Sequence, residues 1–199
     1  MPTRHVFIYI SSVCEPINPG GIGAYAYVIL NMNGTEVRRE SGIACIGSGC
    51  FNHIGEYTSL IRALEWLLAN DYQGSTITIR TNNAFIINQL TGRYRVVSNK
   101  LLPLYNKVAR LLEYFLPNFE VVRNNLARPI ARDAYVRYLD EHPEVVQKYA
   151  SYFAGEEELR VLEGMGVRPP KYLSKAEFER ALRRAGFPPG GPGSARARS

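Results

Sequence analysis

The stretch HVFIYISSVCEPINPGGIGAYAYVIL, residues 5–30, sets two strand-like runs around one turn-rich segment. His5 to Ile10 is short, β-branched and aromatic, the pattern of a buried strand. Glu15-Pro16-Ile17-Asn18-Pro19-Gly20-Gly21-Ile22-Gly23 is dense in turn formers, and Ala24 to Leu30 reads as a second strand. Asn33-Gly34 then marks a hairpin, and Thr35 to Ile46 reads as a third strand. From His53 to Asn70 the apolar period changes to that of a helix lying on a sheet. Ser75 to Thr81 alternates as a strand. Two helices are expected over Asn83–Leu90 and Leu101–Leu116, a last strand over Phe119–Arg123, and a helix with Pro129 in its first turn running to about Leu139. A strand meander extended by strand–helix–strand units implies an α/β fold with a mixed five-stranded sheet flanked by helices.

The chain has 199 residues, 46% of them hydrophobic and 21% charged, enough to bury a core without disulfides or a structural metal. Cys14, Cys45 and Cys50 are too few and too scattered for a disulfide framework or a zinc knuckle. The expected setting is therefore reducing and cytoplasmic. No apolar run approaches a membrane span, and Met-Pro-Thr-Arg-His leads straight into a strand pattern rather than a signal peptide. His5, His53 and His142 have no metal-ligand spacing with each other or with the cysteines, and no Gly-rich phosphate loop is present.

The charge is unevenly placed. Of the net +6, all lies from Arg168 onward, where eight basic residues face only Glu177 and Glu179. The domain reading is a main domain over residues 1–153, a small helical extension over 154–187 and a basic low-complexity tail over 188–199. In the extension, Ser174 to Ala185 reads as a helix with Ser174 as N-cap and Glu177 at the capping-box position. Arg180, Arg183, Arg184, Arg196 and Arg198 make this end a candidate polyanion contact. The alternative is a solvated appendage.

The order of elements, and the residues placed on them, resemble ribonuclease H type 1 of the archaeal and bacterial branch over roughly residues 4–140. The similarity is carried by the Cys14–Gly21 turn, by Asn52, and by Gly55-Glu56-Tyr57 opening a helix. It continues through a strand ending at Asn82, through Ile87-Asn88-Gln89-Leu90-Thr91-Gly92-Arg93-Tyr94, and through Leu102-Pro103-Leu104-Tyr105. The resemblance implies two-metal hydrolysis of the RNA strand of RNA–DNA hybrids, with paired magnesium ions on four carboxylates. Only Glu56 keeps an acid at its position. Ser11, Asn82 and Arg132 stand at the other three, with Asp133 one residue late. The expectation is a non-catalytic protein without a metal or other cofactor, in which Glu56 acts only on the helix dipole. The competing expectation is an active nuclease with rearranged ligands: Glu56 and Asp133 with Glu15 or Asp140.

The resemblance also implies that the turn holding Asn18, Gly20 and Gly21, together with Asn52, faces the minor groove of a hybrid. A plain tight turn is the alternative for Pro19-Gly20-Gly21. Ala84 stands where the family has a further polar contact. From the residues themselves, Arg93, Arg95 and Lys100 form a basic stretch with Tyr94. Arg123, Asn124, Asn125, Arg128 and Arg132 make the former acid site compatible with phosphate. Tyr135, Tyr138, Tyr149 and Tyr152, at helical spacing, read as core or docking surface. The implied partner is RNA or an RNA–DNA hybrid, within a ribonucleoprotein such as the ribosome; a protein–protein adaptor is the alternative from another class.

Overall fold

The computed structural model describes residues 4–149. The chain divides into two compact units: residues 1–14 with 18–135, and residues 15–17 with 136–199. The helical extension, the basic tail and Tyr152 expected from the sequence lie outside the described residues, and so do Arg180, Arg183, Arg184, Arg196 and Arg198.

Ten elements follow in chain order: β1 (His5–Glu15), β2 (Ile22–Asn31), β3 (Glu36–Ile46), α1 (Asn52–Ala69), β4 (Thr76–Thr81), α2 (Ala84–Leu90), α3 (Leu102–Leu112), β5 (Leu116–Val121), α4 (Ala127–Glu141) and α5 (Pro143–Lys148). The sheet has five strands in the order β3-β2-β1-β4-β5. β2 and β3 run antiparallel, while β4 runs parallel to both β1 and β5. The mixed α/β sheet expected from residues 5–30 is the sheet observed.

The strand period explains the layers. Val6, Ile8 and Ile10 of β1 and Ile77 and Ile79 of β4 point to one face, where they meet Tyr57, Leu60, Leu64 and Leu67 of α1. All of these side chains are at most 1% exposed, and each such burial contributes roughly 1.5–3 kcal/mol. Tyr57 donates from its hydroxyl to Gln89 Oε1 at 2.9 Å, which ties α1 to α2 inside the core. On the other face Ala127 and Ala131 of α4 pack on Ala26 and Val28 of β2. Small side chains on both sides let that helix lie close to the sheet.

Several boundaries differ from the sequence expectation: β1 runs on to Glu15 instead of ending at Ile10, and β2 starts at Ile22 instead of Ala24. α3 ends at Leu112 instead of Leu116, and β5 spans Leu116–Val121 instead of Phe119–Arg123. Pro117 argues against a central strand, but β5 is the sheet edge and pairs only with β4, where a missing N–H costs little. Phe115, 5% exposed, is the turn residue that anchors the switch. α5 was not expected. In the second unit, His142 stacks on Tyr138 with ring centroids 4.0 Å apart.

The cysteines depart from expectation too. Cys45 and Cys50 form a disulfide with their Cα atoms 5.4 Å apart. Five residues of separation suffice because Gly47 (φ +81°) and Gly49 (φ +80°) turn the loop back on itself. Cys14 is a buried thiol.

Candidate nucleic-acid cleft

At the ends of β1 and β4, an open cleft of about 520 Å³ is lined by Ser11, Ser12 and Val13 from β1 and by Asn52, His53 and Glu56 from α1. Asn82 and Asn83 after β4, Ala84 and Phe85 of α2, and Arg128 of α4 complete it. The structure thus brings Ser11, Glu56 and Asn82 together, as their matched positions implied. It brings in Arg128 in place of Arg132. The Arg132 guanidinium instead lies 5.4 Å from the centroid of the Tyr135 ring on its own helix. Asp133, offered as a displaced ligand, is exposed on α4 and is not among the residues lining the cleft.

Ser11 is 2% exposed and Glu56 is 3% exposed. Burial pushes the Glu56 carboxyl up to about 8, against a single hydrogen bond donated by Thr81 Oγ1 at 3.2 Å, which favours ionisation. At neutral pH the acid form therefore predominates. Glu56 also lies beyond the first turn of α1, which holds no acid. The expectation that it acts as a charge on the helix dipole is therefore corrected: the group is too far along the helix and is uncharged.

Asn125 organises the floor. It is 7% exposed, and its Nδ2 donates to Ile10 O at 2.7 Å and to Asn82 Oδ1 at 3.1 Å. Its Oδ1 accepts from the Ala127 N–H at 3.0 Å. One amide thus joins the middle of β1, the turn after β4 and the start of α4. Sequence reasoning grouped Asn125 with the phosphate-compatible residues, whereas all of these partners are structural. Asn83 Oδ1 accepts from Phe85 N at 3.1 Å and caps α2.

The rim is made by two loops. Asn18 Nδ2 donates to Asn52 Oδ1 at 3.1 Å, and the Asn52 N–H donates to Asn18 Oδ1 at 3.3 Å. Gly20 N donates to Cys50 O at 2.7 Å, and Gly47 N donates to Gly21 O at 2.9 Å. Asn18, Gly20, Gly21 and Asn52 therefore form one unit. The Lys100 ammonium joins it, occupying the space into which a side chain at Gly49 would project. Arg93 and Arg95 are exposed between α2 and α3, and Arg123 is exposed beyond β5.

Sequence reasoning missed an aromatic row along the edge of the cleft. His53 stacks on Phe85 with centroids 4.7 Å apart, and Phe85 meets Tyr94 at 5.6 Å. Burial pushes the His53 imidazole below its ordinary value, which keeps it neutral. Only the phase of α2, which leaves Phe85 40% exposed, distinguishes this row from core aromatics.

The magnesium pair of ribonuclease H can be tested against this donor set. Magnesium binds through several charged oxygens in near-octahedral geometry. Here the strand ends and α1 offer one hydroxyl, one amide oxygen already engaged by Asn125, and one carboxyl held largely neutral. Among the described residues, no group of three or more His, Cys, Asp or Glu converges. The residues present do not fit the metal pair.

No protein-family model matches the chain. Solved structures do resemble it. The N-terminal RNase H domain of a Mycobacterium tuberculosis protein has a TM-score of 0.61 and 23% identity, covering 70% of this chain and 99% of that one. LC11-RNase H1, solved in complex with an RNA/DNA hybrid, has a TM-score of 0.58 and 24% identity, covering 67% and 99%. RNase H1 from the halophilic archaeon Halobacterium salinarum has a TM-score of 0.57 and 22% identity, covering 66% and 97%. With the sheet order and the placement of Ser11, Glu56 and Asn82, these likenesses identify the fold of the chain as that of ribonuclease H.

Proposed function

We propose that this protein binds nucleic acid, an RNA–DNA hybrid or a structured RNA, on a ribonuclease H scaffold and does not cut it. The observation that carries this reading is the floor of the cleft: Ser11, Asn82 and a buried Glu56, which burial pushes toward its acid form, stand where the fold's chemistry needs clustered anions. Without those anions the cleft does not repel a phosphate backbone, and Arg128 at its wall attracts one. The paired Asn18–Asn52 rim, with Lys100 beside it, supplies donors for a sugar–phosphate edge. The excess of basic residues after Arg168 adds sequence-independent attraction, and docking onto RNA within a ribonucleoprotein such as the ribosome suits that distribution.

Two measurements test the proposal. Hybrid binding should weaken steeply as salt rises, log affinity falling by roughly 0.7–0.9 per phosphate contacted, with a shallower slope after removal of residues 168–199. The same protein, free of host nuclease, should leave the hybrid intact in magnesium or manganese. Cleavage abolished by Glu56→Gln would establish the active-nuclease reading instead. Absence of any affinity for hybrid or RNA would leave the adaptor reading.

A further inference from the structure

The Cys45–Cys50 disulfide closes the loop between β3 and α1, and every rim contact named above hangs from that loop or from the turn it touches. We propose that this disulfide is a reversible clasp whose oxidation state sets how tightly the rim holds nucleic acid. The inference rests on the binding function proposed above and adds its regulation.

Three features of the site support it. First, the neighbouring strand is shaped to the bonded pair. A Cβ at Gly23 would lie 2.7 Å from Cys45 Sγ and 2.8 Å from Cys50 Sγ, inside the contact distance of any real side chain. Second, the bond contributes modestly to the fold itself. It spans five residues, so it removes less chain entropy than a long-range bridge would, about 2 kcal/mol, and Cys45 is already held by its pairing with Gly23 across β2 and β3. What it restrains is the loop: the Cys50 N–H donates to Gly47 O at 2.9 Å, and Cys50 O accepts from Gly20 N. The Cys14 thiol donates to the same Cys50 carbonyl at 3.6 Å. Third, the loop delivers the contacts. Asn52 follows Cys50 by two residues and pairs with Asn18, and Lys100 rests on Gly49.

The reductant is a dithiol. Its thiolate attacks Cys45 Sγ, which is half-buried, whereas Cys50 is 2% exposed. The S–S bond breaks and Cys50 leaves as the thiolate. The second thiol of the reductant then displaces Cys45 and closes a cyclic disulfide. Two electrons pass to the protein, and the two protons of the dithiol end on Cys45 and Cys50. The loop then rests on its backbone hydrogen bonds alone.

The test compares the full chain, air-oxidised and treated with dithiothreitol, by amide exchange over residues 47–52 and by titration with labelled RNA–DNA hybrid. Exchange of the Cys50 and Asn52 amides should accelerate by about tenfold on reduction, the signature of local opening. The hybrid dissociation constant should rise by about five- to tenfold. The Cys45→Ser/Cys50→Ser variant should match the reduced protein whether or not dithiothreitol is present, which separates the clasp from any effect on Cys14. Hybrid binding of equal strength in both redox states would overturn the clasp, and so would free alkylation of Cys45 and Cys50 in the air-oxidised chain. Redox-dependent exchange with no hybrid binding in either state would instead overturn the nucleic-acid reading on which the clasp rests.

Discussion

The floor of the cleft is made of strand ends and buried side chains, its rim of loops and exposed ones, and the two keep different parts of the ribonuclease H pattern. The floor keeps the geometry of the fold and departs from its chemistry: Ser11, Glu56 and Asn82 converge without forming an anionic cluster. At the rim the Asn18–Gly21 turn and Asn52 are joined by reciprocal hydrogen bonds. On the proposed reading, positioning a nucleic acid and activating water on it are separable tasks that fall to different elements. The separation makes physical sense, because clustered carboxylates repel phosphate unless a metal sits between them.

The largest effect expected from the floor is a pH dependence. The Glu56 carboxyl titrates near 8 in the folded chain and near 4.5 as an ordinary glutamate, so the folded state holds the proton more tightly. Stability should fall as pH rises from about 4.5 and level off above about 8, by roughly 5 kcal/mol from this group. Glu56→Gln, uncharged at every pH, should lose that slope, so the variant should gain on the parent as pH rises. Urea midpoints for both proteins between pH 5 and pH 8.5 check this. Parallel curves would mean that Glu56 is ionised in the fold, and the floor would regain a metal-seeking acid.

Asn125→Ala comes next. It leaves Ile10 O and the Ala127 N–H without their amide partner at a buried site, which should cost about 2–3 kcal/mol by chemical denaturation. A loss well below 1 kcal/mol would mean that water replaces the amide and that the floor is looser than its hydrogen bonds imply.

Much of this was legible in the sequence, for identifiable reasons. The β-branched and aromatic run over residues 5–10, the alternation over residues 75–81 and the switch to helical period after residue 53 are local signals; they placed β4 and α1 within a few residues and the start of β1, which runs on to Glu15. Ser11, Glu56 and Asn82 could be found because the order of elements along the chain fixes their positions. Arg128 was not separable from Arg132, since that choice depends on the phase of α4, which begins at Ala127 with Pro129 in its first turn. Pro117 hid the start of β5 because edge and central strands differ only in tertiary context. Neither the disulfide nor the role of Asn125 leaves a local signal, because each depends on contacts fixed by the whole sheet.

Restoring acids at the floor would sharpen the contrast. Ser11→Asp with Asn82→Asp would place two carboxylates beside Glu56. The parent should show no change in thermal midpoint with manganese. The double variant should be less stable without metal and should recover about 1.4 kcal/mol at a manganese concentration tenfold above its dissociation constant. No recovery would show that Arg128 or the amide of Asn125 blocks the site even when acids are present.

The smallest expected effect belongs to the rim, and it bears most directly on the division of labour. Asn52→Ala removes the side-chain acceptor used by Asn18 and frees the loop beside Cys50. The pair is exposed, so water can replace its bonds, and stability should change by less than about 1 kcal/mol. Hybrid affinity should nevertheless fall by about three- to fivefold, under 1.4 kcal/mol, because the rim is the proposed contact surface for the nucleic acid. The matched control is Glu56→Gln, which should leave affinity unchanged near pH 6, where the parent carboxyl is already protonated. Fluorescence anisotropy with one labelled hybrid, run on both variants at one salt concentration, decides between them. If Glu56→Gln weakens binding as much as Asn52→Ala does, the floor takes part in holding the ligand, and the separation of floor from rim fails.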